Sequence, residues 1–119
     1  MMDQAEYWNR FIDEICYKEL SDLTAIQRDA VICFWYDAEV NSGGHSGFFD
    51  CYPDMDLTAL ANALQMISNQ QIADNFRNAI TTGIADGYAA ADDAFYAFSP
   101  ELADYIEAFV IKNKEQIFV

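Results

Sequence analysis

The chain has 119 residues, about one domain's worth, and 53% of it is apolar, with nine Phe, seven Tyr and two Trp, too much aromatic mass for a disordered acidic tail. Twenty Asp and Glu against six Lys and Arg give a formal net charge of -14. Unassisted binding to nucleic-acid phosphates or anionic membranes runs on clustered bases, and Arg10, Lys18, Arg28, Arg77, Lys112 and Lys114 are scattered, so a basic partner is the complementary expectation.

Residues 3–20 set Trp8, Phe11, Ile12, Ile15, Cys16 and Leu20 at helical spacing, with Asp13, Glu14 and Lys18 mostly on the other side, which predicts an amphipathic first helix. Thr24-Ala-Ile-Gln27 has the form of a capping box and opens a second helix. Its run Ala30–Tyr36 is apolar almost all round, so this is the expected central helix, continuing through Ala38 and Val40 until Asn41-Ser42-Gly43-Gly44 breaks it. A single turn is expected over Ser46–Tyr52, ended by Pro53.

Leu57, Leu60, Ala61, Leu64 and Ile67 then mark a third helix capped by Asp54 or Asp56, and Ile72, Phe76, Ala79 and Ile80 a fourth over about Gln70–Ile84, closed by Asp86-Gly87. A short helix is expected around Asp92–Phe98. Ser99-Pro100-Glu101 offers a capping hydroxyl, an N1 proline and an N-terminal acid to a last helix, whose stripe is Leu102, Tyr105, Ile106, Phe109 and Val110. Without a linker or repeat, residues 1–119 read as a single compact all-α domain of about five main helices plus short helical turns.

The N-terminus carries acids where a signal peptide needs bases, and the longest apolar run is far too short to span a bilayer, which points to the cytoplasm. Cys16, Cys33 and Cys51 form no C-x-x-C pair and read as buried free thiols. His45, with Asp50 and Cys51, could be drawn as a nucleophile constellation, but proximity in sequence does not supply the geometry such chemistry needs. Asp50, Asp54 and Asp56 lack the glycine and terminal Glu of a calcium loop. The expectation is therefore a binding protein, not an enzyme, with no metal or cofactor.

The acids are unevenly spread. Asp29, Asp37, Glu39, Asp50, Asp54, Asp56 and Asp74 lie between Arg28 and Arg77 with no base among them, and Asp86, Asp92, Asp93, Glu101, Asp104 and Glu107 do so between Arg77 and Lys112. Glu101, Asp104 and Glu107 recur every third residue, which makes a row of carboxylates on one helix. Asp92, Asp93, Glu101, Asp104 and Glu107 are the expected partner-binding residues, with Asp50, Asp54 and Asp56 second.

The segment Glu39–Phe49 resembles the signature of the bacterial DNA-mimic protein 19 family, an acid-x-Asn-x-Gly-Gly loop followed by Phe-Phe. The matching positions are Glu39, Asn41, Gly43, Gly44, Phe48 and Phe49, while His45 and Gly47 depart from the pattern. The resemblance implies an all-α fold and, as for the founding member, a dimer whose acidic surface imitates duplex DNA on the DNA-binding face of a helix-turn-helix regulator. Asn41 and the glycines are expected to be structural, entering the left-handed region, with Phe48 and Phe49 pinning the chain to the core. Mimicry would then rest on the surface carboxylates. Competing expectations from the same acidity are an immunity or antitoxin protein that plugs a basic nuclease through a concave face with aromatic anchors, and a plain acidic scaffold.

Overall fold

The computed structural model describes residues 2–119. Among them there are seven α-helices and no strand: α1 Gln4–Arg10, α2 Ala25–Cys51, α3 Leu57–Ile67, α4 Gln70–Thr82, α5 Ala89–Ala97, α6 Leu102–Lys112 and α7 Lys114–Ile117. The all-α expectation holds, with more helices than the five foreseen.

The first predicted helix ends early. After Arg10 the chain widens into a π turn over Phe11–Ile15, in which the Cys16 amide donates to the Phe11 carbonyl at 3.1 Å, and a 3-10 turn covers Leu20–Asp22. The wider turn puts Phe11, Ile15 and Cys16 together in the core. Thr24 forms the expected capping box: its backbone N–H donates to Gln27 Oε1 at 2.9 Å and its hydroxyl accepts from the Gln27 amide at 3.3 Å.

α2 is the central helix, packed against α3, α5, α6 and α7. Ala30, Val31, Ile32, Cys33, Tyr36 and Val40 are buried all round it, as its nearly continuous apolar run requires. Tyr36 is the hub: its ring meets those of Phe48, Phe76 and Phe95 edge-on at 5.0 to 5.7 Å between centroids, each such pair contributing about 1 kcal/mol beyond its burial.

Asp56, one of the two expected caps, starts α3 by accepting from the Ala59 amide at 3.0 Å, and Asn69 caps α4 in the same way. Gly87 closes the turn after α4 in the left-handed region, and Asp86 accepts from the Ala90 amide at the start of α5. α6 begins two residues later than expected. Glu101 is its N-cap, its amide donating to Asp104 Oδ2 at 3.3 Å, so Ser99 and Pro100 stand outside the helix. The acid three residues ahead offers Glu101 a partner that Ser99 lacks. α7 has no sequence signal of its own; it is held by the burial of Ile117 and by Gln27 Nε2 donating to the Ile117 carbonyl at 2.7 Å.

Candidate partner-binding surface

The break in α2 is a single residue. Asn41, Ser42 and Gly43 remain helical, and Gly44 alone leaves the helix, at φ 69° and ψ -174°, after which His45–Cys51 make nearly two further turns where one was expected. Asn41 does not enter the left-handed region; its side-chain amide donates back to the Asp37 carbonyl at 2.8 Å. Gly44 must be glycine twice over, since its φ is positive and a Cβ there would sit 2.6 Å from Asp92 Oδ2.

Asp92 is held in that bend. Its Oδ1 accepts from the His45 backbone amide at 2.9 Å and from His45 Nδ1 at 2.7 Å. A carboxylate only accepts, so the imidazole proton is on Nδ1, and Nε2 accepts the Tyr36 hydroxyl at 2.6 Å. His45 is fully buried, and burial holds it below its ordinary pKa despite the pull of Asp92. The result is a Tyr36–His45–Asp92 relay fastening α5 to the bend. His45, placed by its sequence in the glycine loop, is thus a core residue, and Asp92, expected among the partner-binding acids, is turned inward onto it. Both imidazole nitrogens are engaged, and Cys51 is exposed beside Glu39, so the His45–Cys51–Asp50 constellation is not assembled. Cys16 and Cys33 are buried free thiols as expected; Cys51 is not.

The two signature phenylalanines are packing elements. Phe48 is buried and Phe49 lies half-buried between Phe76 and Tyr88, while Gly43 has open space where a Cβ would be. The Val40 carbonyl, at the end of the long straight part of α2, accepts from the Tyr96 hydroxyl at 2.6 Å.

The expected partner-binding acids, joined by Asp37 and Glu39 of α2, fall into two groups. Asp37 of α2 shares a surface with Glu101 and Asp104 of α6: burial, then Glu101 and Asp104, push its carboxyl up to about 6. Asp37 itself is 9% exposed, a buried acid among the carboxylates of its base-free stretch. Glu101 and Asp104 are exposed, whereas Glu107, farther along α6, is half-buried and accepts from Gln4 Nε2 of α1 at 3.1 Å. Asp93 is exposed on α5.

The second group is Glu39 and Asp50, which bear on Cys51, together with Asp54 and Asp56, which edge a neighbouring groove. Asp37 and Glu39 are two residues apart on α2, about 200° around its axis, so the groups flank different sides of the central helix. Ion pairs among the described residues join Arg10 to Glu14 and Arg77 to Asp74. The exposed acids of both groups thus have no basic partner within 4.0 Å among the described residues.

No group of three His, Cys, Asp or Glu among the described residues is arranged to hold a metal ion, and no described helix is long and apolar enough to cross a membrane. A family model described as DMP19-like protein matches residues 21–114. No curated protein and no solved structure matches the chain. The matched region runs from the 3-10 turn into α7, leaving outside it α1 and the π turn, which close the core with Phe11.

Proposed function

The chain belongs to the DMP19-like protein family, and on that premise we propose that it is a cytoplasmic DNA-mimic-like protein that occupies the DNA-binding face of a basic partner such as a helix-turn-helix regulator. The observation that supports this is the exposed pair Glu101 and Asp104 on α6, near enough to the buried Asp37 carboxyl to raise its proton affinity, with no Lys or Arg ion-paired to any of the three among the described residues. Such a surface stands in for phosphates.

The molecule measures 48 by 30 by 22 Å. Duplex DNA carries about one charge per 1.7 Å, so 48 Å of duplex holds far more charge than the net -14 of one chain. A two-fold dimer would present the acidic surface twice, once for each of the half-sites that a dimeric regulator sets roughly 34 to 36 Å apart. The proposed partner mode is accordingly a homodimer facing a dimeric regulator.

The test is a salt-titrated pull-down from lysate followed by titration of the captured partner. Affinity should fall by about tenfold or more between 50 and 200 mM salt, and Glu101→Gln with Asp104→Asn, which keeps the cap of α6, should lower it by a similar factor, mainly through the association rate. Affinity unchanged by both would sink the proposal.

Inhibition of a basic nuclease is the second reading, and one observation favours it: a concave, aromatic-lined groove on the other side of α2, formed around Trp35 and Tyr52.

A further inference from the structure

Two adjoining cavities of about 660 and 470 Å³ make up that groove, divided by Leu20, Trp35 and Tyr52. The larger is walled by Ile12, Tyr17 and Phe34, the smaller by Ile32 and Met55. The Trp35 and Tyr52 rings are stacked, 5.4 Å apart and 11° from parallel, and Trp35 Nε1 donates to the Cys16 carbonyl at 3.3 Å, so the dividing wall is fixed in orientation. Tyr17 stands 81% exposed at the edge. Preformed pockets lined by Trp and Tyr, with an exposed Tyr beside them, are the composition of interface anchor sites.

The surrounding charge selects the occupant. Glu19 edges the larger cavity, Asp54 and Asp56 the smaller, and Glu39 and Asp50 bear on Cys51 next to Tyr52. Lys18 and Arg28 are the bases present, and the Arg28 guanidinium donates to the Leu23 carbonyl at 3.4 Å. The floor is apolar and the margin is predominantly acidic. An amphipathic segment with bulky apolar residues on one face and Lys or Arg on the other satisfies both, and two cavities side by side suit two such residues about one or two helical turns apart.

We propose that the groove between the π turn, the 3-10 turn and α2 is a docking site for a basic amphipathic helix of the partner, separate from the Asp37–Glu101–Asp104 surface. This rests on the reading of the chain as a binder of basic proteins and adds an apolar anchor to it. The larger cavity's outer wall comes from residues 12–20, outside the family-matched region, while its Trp35–Tyr52 wall lies within it.

The experiment uses the full-length protein and three synthetic 14-residue peptides: Leu on one helical face with Lys elsewhere, the same composition shuffled so that Leu is dispersed, and the first peptide with Glu for Lys. Binding is followed by the Trp35 indole N–H resonance, assigned with Trp35→Phe. The basic amphipathic peptide should shift that resonance and bind at least about tenfold tighter than either control, a difference of about 1.4 kcal/mol. Leu20→Asp should weaken it by about tenfold, and Tyr17→Ser, at an exposed position that leaves folding intact, by about threefold. Equal binding of the shuffled or acidic peptide, or no binding of the first, overturns the groove. Loss of peptide binding in the Glu101→Gln, Asp104→Asn protein also overturns it, while leaving the acidic-surface reading to its own salt test; unchanged binding there supports two separate contacts.

Discussion

Two buried titrating residues on α2 act on stability in opposite directions. His45 is held neutral below its ordinary value of 6.5 by burial. The unfolded chain takes a proton there first, so this contribution is complete above pH 6.5 and is lost as the pH falls. Asp37 is the reverse. Its carboxyl, raised to about 6 from 3.8 chiefly by burial, protonates in the folded state first, so stability from it grows as the pH falls from about 6 to 4. Ionised at neutral pH, it costs the fold on the order of 2 to 3 kcal/mol. Asp37→Asn should therefore stabilise the protein by about 1 to 2 kcal/mol at pH 7 and by almost nothing at pH 4, measured by denaturant unfolding at both values. An equal effect at the two pH values would show that Asp37 does not titrate as described. Neither residue announces itself in the sequence, since the burial that sets their states comes from helices packed over α2, and the carboxylates that modify them, Asp92 for His45 and Glu101 and Asp104 for Asp37, lie far along the chain.

Among the helices, what was legible is what local chemistry decides. Thr24 with Gln27, Asp56 with Ala59 and Asn69 with Ile72 are caps formed within four residues, and the starts of α2, α3 and α4 follow from them. The π turn and α7 were not legible, because one depends on burying Phe11, Ile15 and Cys16 together and the other on Gln27 reaching Ile117 from 90 residues away. The Gly43-Gly44 pair marks the limit between the two cases: the dipeptide signalled the break, but its two members do different things. Gly44→Ala should destabilise the protein by about 3 kcal/mol, combining the left-handed penalty with displacement of Asp92. Gly43→Ala, in a helical position with open space, should be neutral or stabilising by up to about 1 kcal/mol. Thermal or denaturant unfolding of the two single variants checks the contrast, and equal effects would contradict it.

At the scale of the whole molecule, acidity dominates. With a net charge of -14 and few internal ion pairs among the described residues, the folded state carries self-repulsion that counterions relieve. Raising NaCl from 0.02 to 0.5 M should increase the melting temperature by about 5 °C, corresponding to roughly 1 kcal/mol; a flat or falling melting temperature would mean that the charges are spaced too widely to matter. The same salt weakens the proposed partner contact, so stability and binding should move in opposite directions along one titration. The charge total was readable from composition, but its division between two sides of α2 was not, because it depends on which residues of α2 face α6 and which face the groove.

The bend at Gly44 has one more consequence. The space a side chain would fill at position 44 is the space Asp92 occupies, and Asp92 in turn satisfies His45. Changes at 44, 45 and 92 are therefore not independent of one another: an alanine at 44 meets both the backbone strain and the carboxylate while Asp92 is present and only the strain once it has gone, whereas losing the carboxylate first strands the imidazole. The order in which such substitutions are made therefore decides how much each of them costs.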